Sequence, residues 1–184
     1  MAVGIFGGSF NPAHVSHVLA IGYALSVYEL DGVIVIPVFR HAFGKELAPF
    51  EDRMEMAKLA VGWMPGVEVS DIERRLGGDS RTLYTIEALL EEKPERELRL
   101  IIGADVLGDL PKWHRFDRIA ELAPPIVIGR AGVEHPDAPP ALLPEVSSTQ
   151  IRALAEQGRL DEAAHLLPRA VKRYLETRRL YRDS

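Results

Sequence analysis

MAVGIFGGSFNPAHVSH, residues 1–17, decides the fold. Val3, Gly4, Ile5 and Phe6 suit a buried strand, and Gly7 and Gly8 behind them allow the backbone to turn tightly and to come close to a ligand. A helix is expected to start near Ala13. The first amides of a helix lack partners within it and carry the positive end of its dipole, so the corner where strand hands over to helix accepts phosphate. His14 and His17, as i and i+3 neighbours, share one face of the first turn. Two imidazoles there can donate hydrogen bonds to phosphate oxygens. A glycine pair behind a strand also marks many ordinary turns, and a histidine near a helix start is often a cap or a packed side chain. What singles this stretch out is the order of the whole string.

Outward from it, strand-like and helical patterns alternate. After a first helix over about 14–29, Val33, Ile34, Val35 and Ile36 form an apolar run closed by Pro37, a second buried strand. PFEDRMEMAKLAVGWM, residues 49–64, sets Met54, Ala57, Leu59, Ala60 and Met64 among charges and predicts an amphipathic helix stopped by Pro65 and Gly66. A short strand over 67–69, a helix over 82–92, a strand over 98–102 ending at Gly103, a helix over 115–122 and a strand over 126–128 follow. Repeated βα order predicts an α/β fold, a Rossmann-like doubly wound parallel sheet. Residues 132–146, rich in proline and without sustained periodicity, read as an ordered surface loop. Ser147, Ser148 and Thr149 supply cap chemistry for a helix that Gly158 ends, and two more helices are expected over 159–166 and 168–181, with Pro168 in the first turn of the second. The expected organisation is one domain over 1–184, with 147–184 a helical C-terminal segment packed on it.

With 184 residues the chain can bury a substantial core. Its net charge of −5 provides no general basic field for nucleic acid, so any phosphate site must be basic locally. The absence of cysteine excludes disulfide, thiolate-metal and thiol chemistry. No signal-peptide layout opens the chain and no apolar run approaches the roughly 18 residues of a membrane span, so a cytoplasmic location without membrane or nucleic-acid partners is expected. Self-association into a homo-oligomer is compatible with the sequence.

GGSFNPAHVSH, residues 7–17, resembles the GG(S/T)F(D/N)PxHxGH signature of the nucleotidylyltransferases, with Ser16 where a glycine is usual. Further stretches resemble one branch of them, the bacterial nicotinate-nucleotide adenylyltransferases. They are LRLIIGADVLGDLPKWHRFDRIAELA (98–123, with its GAD turn and LPxW segment), SRTLYTIEAL (80–89, beside S(Y)T(V/I)(D/E)TL) and VSSTQIR (146–152, beside (I/V)SSTxIR). The resemblance implies AMP transfer from ATP to nicotinate mononucleotide, giving nicotinate adenine dinucleotide and pyrophosphate. Since the attacking phosphate oxygen is already ionised, positioning and charge stabilisation should outweigh base catalysis.

By the same resemblance His14, His17 and Lys45 are catalytic, with His14 and His17 on ATP phosphate oxygens and the developing charge. Gly7, Gly8, Ser9, Phe10, Gly103, Asp105, Ser147, Ser148, Thr149 and Arg152 are implied to bind ATP, Gly103 and Asp105 at the ribose, and the 147–152 group at the triphosphate. Arg81, Thr82 and Trp113 are implied at nicotinate mononucleotide, Trp113 stacking on the ring. PVFRHAFGK, residues 37–45, departs from the frequent PPHK ending, which leaves the alignment of Arg40, His41 and Lys45 open. Arg81 replaces a usual tyrosine, leaving acid against amide preference open. Mg²⁺ is expected with ATP, held by phosphate oxygens and water rather than by a protein cage. Nicotinamide mononucleotide or phosphopantetheine remain alternative acceptors, and a nucleotide-binding module without turnover is the alternative of another class. A hydride-transfer dehydrogenase is disfavoured because the opening lacks GxGxxG.

Overall fold

The computed structural model describes residues 1–40, 47–78 and 80–182. The element order is β1 (Ala2–Gly8), α1 (Val15–Val27), β2 (Gly32–Pro37), α2 (Phe50–Val61), β3 (Val67–Val69), α3 (Ile72–Leu76), α4 (Thr82–Glu92), β4 (Glu97–Gly103), α5 (Phe116–Leu122), β5 (Pro125–Ile128), α6 (Ser148–Glu156) and α7 (Arg169–Arg178). Two 3₁₀ segments, Ala104–Lys112 and Leu160–Leu166, join β4 to α5 and α6 to α7. The strands form one sheet in the order β3-β2-β1-β4-β5, every neighbouring pair parallel.

Both faces of this sheet are covered, which explains the unbroken apolar runs: a parallel strand buried on two sides needs no polar face. Alternate residues feed opposite layers. Val33, Val35, Phe6, Ile101, Ile126 and Ile128 pack with α1, α2, α6 and α7, while Val3, Ile5, Ile34, Ile36, Leu98, Leu100 and Ile102 pack with α3, α4 and α5. On α1, the buried Ser16, Ala20, Ile21 and Ala24 are mostly small and let the helix approach the sheet closely. The C-terminal helices close the first layer through Ile151, Ala155, Leu160, Ala163, Leu167, Val171 and Leu175. They are also tied by polar bonds: Tyr174 Oη donates to Asp52 Oδ1 at 2.7 Å and Arg178 Nε to the same oxygen at 3.2 Å.

The expected doubly wound parallel sheet is the observed one. Among the differences, α1 starts at Val15 rather than Ala13, because His14 is still extended (φ −142°, ψ 175°). The helix α2 ends at Val61, before the predicted stop, and Gly66 takes the left-handed conformation (φ 78°) in the turn beyond. Residues 104–112, expected as a turn and loop, are 3₁₀ helix, and so is most of the predicted helix over 159–166. The last helix stops at Arg178; Arg179 (φ 52°) and Tyr181 (φ 61°) turn the tail back onto the body. Pro168 precedes that helix as its cap. No helix among the described residues is long and apolar enough to cross a membrane.

Candidate active site

The sheet order places the topological switch between β1 and β4, whose successor strands lie on opposite sides; parallel α/β sheets bind ligands outside the carboxyl ends there. The end of β1 brings Gly7 and Gly8, and the end of β4 brings Gly103. The two β1 glycines do not make the turn that was expected of them. Both lie within the strand, and the bend is made by Phe10, a buried non-glycine residue at φ 49°. What Gly7 provides is space: a Cβ there would meet nothing within 4 Å. Gly103 has a different reason. A Cβ on it would lie 2.4 Å from Asp105 Oδ1, so glycine lets the Asp105 carboxylate fold back over the strand end.

A cavity of about 250 Å³ opens at this crevice, and Gly7, Gly8, Ser9, Thr82 and Trp113 are among its lining residues. Three stretches distant in sequence therefore meet in one wall. Trp113 caps the 3₁₀ segment, its ring edge-on to Phe116 at 6.2 Å. Thr82 is the first residue of α4. Arg81, the residue before it, is exposed and lines a neighbouring cavity of about 210 Å³ instead, so the structure does not bring it to Trp113.

Next to this cavity stands the histidine pair. His14 caps α1 and His17 occupies its first turn, their rings stacked at 3.8 Å. His17 also packs on Phe10 at 4.8 Å, and Phe10 lies against Gly8 of the cavity wall. The His14 amide, one of those expected to face phosphate, donates instead to His17 Nδ1 at 3.0 Å. That bond leaves Nε2 of a neutral His17 ring as its donor. Burial, reinforced by the nearby Arg130 charge, lowers His14 from 6.5 to about 4. Burial, then His14, then Arg130 push His17 well below its ordinary value, against a rise from its bond with the His14 backbone. Both imidazoles are therefore neutral near pH 7. His14 Nδ1 is buried and has no hydrogen-bond partner among the described residues. Ser16, the unusual residue between them, points away and donates to the Pro144 carbonyl at 3.2 Å.

The residues implied at the triphosphate lie at the start of α6 and reach the same bend. Ser147 caps α6 by accepting from the Thr149 amide at 3.2 Å. Ser148 Oγ donates to the Pro12 carbonyl at 3.0 Å, and Arg152 donates to the Asn11 carbonyl at 2.7 Å and to Thr149 Oγ1 at 3.2 Å. Lys45 and His41 lie outside the described residues. Arg40 is exposed at the end of the described segment.

Several residues of this region were not singled out from the sequence. Arg130, two residues beyond β5, pairs with Asp105 at 2.8 Å and donates to the Val146 carbonyl, joining the GAD turn to the segment before α6. Arg53 is 1% exposed, yet its guanidinium donates to the carbonyls of Ala48 (2.9 Å), Ser9 (3.1 Å) and Val38 (2.6 Å). Its position was detectable, since 53 falls in the apolar register of α2 with Phe50, Ala57 and Ala60. Glu73 lines the cavity and accepts from the Phe39 amide at 2.9 Å; burial raises its pKa, opposed by bonds from Ser80, Phe39 and Thr85.

A parallel sheet carrying a glycine-lined crevice and an imidazole pair at its switch point defines the nucleotide-binding class of transferases, and the cytidylyltransferase-like family profile matches residues 5–154. Over 184 residues the chain is 46% identical to a protein of Anaeromyxobacter dehalogenans named as a probable nicotinate-nucleotide adenylyltransferase, covering 98% of this chain and 96% of that one. It is 38% identical to a Myxococcus xanthus protein of the same name, over 97% and 94% of the two chains. Plasmodium falciparum nicotinic acid mononucleotide adenylyltransferase, solved in complex with NaAD, has the same fold, with a TM-score of 0.84 at 17% identity over 98% of this chain and 97% of that one. The chain belongs to the nicotinate-nucleotide adenylyltransferases of the cytidylyltransferase-like family.

Proposed function

We propose that this chain transfers the adenylyl group of ATP to nicotinate mononucleotide, releasing pyrophosphate, as a cytoplasmic step of NAD biosynthesis. The observation that carries the reading is the neutral His14–His17 pair, contiguous through Phe10 and Gly8 with the cavity lined by Thr82 and Trp113. A phosphate oxygen of the mononucleotide attacks the α-phosphorus; the new O–P bond forms as the bond to the bridging oxygen of the β-phosphate breaks. No proton has to be removed from the nucleophile, so the residues act by alignment and by hydrogen bonds to developing charge.

His17 Nε2–H and the outer nitrogen of His14 donate to triphosphate oxygens as neutral groups. Gly7, Gly8, Ser9 and Phe10 let the nucleotide lie against backbone, Gly103 and Asp105 take the ribose, and the start of α6 with Ser147, Ser148, Thr149 and Arg152 faces the triphosphate. Lys45 adds a cation to the same phosphates. Mg²⁺, when bound with ATP, neutralises triphosphate charge. Such an ion would be carried by phosphate oxygens and water.

An acidic ring substituent is favoured over an amide. Among the described residues no side chain caps the start of α4, so its amides and the positive end of its dipole face the cavity at Thr82. Trp113 supplies a ring face. Replacing His17 by Asn tests the phosphate role: kcat should fall about 100-fold or more, the scale of losing a transition-state donor, with Tm within a few degrees. A well-folded variant with kcat near the parent value would remove His17 from that role.

A further inference from the structure

The bend from which His14 and His17 project is held from outside. Phe10 at φ 49° is in a conformation that costs a non-glycine residue about 1 kcal/mol or more, so neighbouring groups must maintain it. Arg53 donates to Ser9 O at 3.1 Å, Ser148 to Pro12 O at 3.0 Å and Arg152 to Asn11 O at 2.7 Å. At the centre is the Asn11 side chain, 2% exposed. Its Oδ1 accepts from the Ala48 amide at 3.1 Å and from the Tyr181 hydroxyl at 2.6 Å, a contact made across 170 residues by the tail beyond α7.

We propose that Tyr181 is a positioning residue for catalysis, its hydroxyl fixing Asn11 and thereby the bend that aims His14 and His17. The inference rests on the adenylyl-transfer reading of that pair. Tyr181 is not among the residues lining the cavity. Both acceptor directions of Asn11 Oδ1 are used, one by Ala48 and one by Tyr181, so deleting the phenol oxygen leaves a buried carbonyl half-satisfied at the point where the chain must stay bent. The phenol is partly buried, and burial raises its pKa, which keeps the hydroxyl a donor. Tyr174 makes the internal comparison. Its hydroxyl clasps α7 to Asp52 of α2 at 2.7 Å, a contact to the body rather than to the bend.

The test measures kcat, both KM values and Tm for Tyr181→Phe, Tyr174→Phe, Asn11→Ala and the Asn11→Ala/Tyr181→Phe double variant. It adds ¹⁵N spectra of the histidine rings. Tyr181→Phe should lose about tenfold in kcat, the scale of one buried hydrogen bond, with KM for the mononucleotide unchanged. Its His17 Nδ1 signal should move away from the hydrogen-bonded position. Tyr174→Phe should lower Tm while leaving kcat and the His17 signal alone, and the double variant should be no slower than Asn11→Ala. Unchanged kcat and His17 signals in Tyr181→Phe, an equal kcat loss in Tyr174→Phe, or additive losses in the double variant would each overturn the proposal. A parent chain that adenylylates no acceptor would instead contradict the adenylyl-transfer reading, and the His17 spectra would still decide whether Tyr181 positions the ring.

Discussion

Replacing Gly7 by Ala should separate binding from folding. The added Cβ has no protein atom within 4 Å and the residue does not have a positive φ, so the strand accepts it without strain. Removing glycine's freedom from the unfolded chain stabilises by about 0.5–1 kcal/mol, equivalent to a rise of about 1–4 °C in Tm for a chain of this size. The methyl group, however, projects from the wall of the crevice cavity. Forcing a ligand around one extra carbon costs about 1–3 kcal/mol, a loss of about 5- to 150-fold in kcat/KM. Gly32→Ala is the opposite case, because its Cβ would sit 2.5 Å from the Gly66 carbonyl oxygen at the far end of the sheet. That variant should lose several degrees in Tm while the folded fraction keeps its kcat/KM. Thermal unfolding and steady-state rates on both proteins make the comparison. A Gly7→Ala protein with lowered Tm and intact kcat/KM would refute the assignment of Gly7 to the binding surface.

Three other outcomes are expected. Arg53→Leu strands the carbonyls of Ala48, Ser9 and Val38, and at about 1–3 kcal/mol for each unpaired group should lower unfolding free energy by about 3 kcal/mol or more; denaturant titration showing less than about 1 kcal/mol would contradict the role given to that network. His14, at about 4 against 6.5, keeps its ring neutral in the folded chain while the unfolded chain protonates. Acidification from pH 6.5 to 4 therefore removes stability, about 3 kcal/mol from this group. His14→Asn should flatten the stability curve in that window, and curves that stay parallel to the parent's would count against it. Trp113→Ala should raise KM for the mononucleotide about tenfold, the scale of a lost aromatic stack with its buried area, with little effect on ATP; equal effects on both substrates would argue against stacking.

The sheet was legible because its strands are buried on both faces, and Val33–Ile36 or Leu98–Ile102 can satisfy that only as continuous apolar runs. The helix over Thr82–Glu92 was legible to the residue. By contrast, α3 is a five-residue IERRL segment, too short and charged for a periodic signal, and Gly108 and Pro111 conceal the 3₁₀ stretch before Trp113. Local string order singled out Gly7, His14, His17 and the 147–152 segment as candidates, and geometry places them around one crevice and bend while reassigning the turn from the glycines to Phe10. Arg130, Glu73, Asn11 and Tyr181 owe their surroundings to contacts between distant segments, and no local pattern encodes those. Arg53 is intermediate: a cation in an apolar helical register signals burial, while its carbonyl partners become visible only in three dimensions.

The most direct test supplies ATP and Mg²⁺ with nicotinate mononucleotide, nicotinamide mononucleotide or phosphopantetheine in separate, equal-concentration reactions, measuring pyrophosphate and confirming the product by mass. Strong preference for nicotinate mononucleotide, with nicotinate adenine dinucleotide formed, is the predicted result. Preference for either other acceptor, or no pyrophosphate with any of the three, would contradict it.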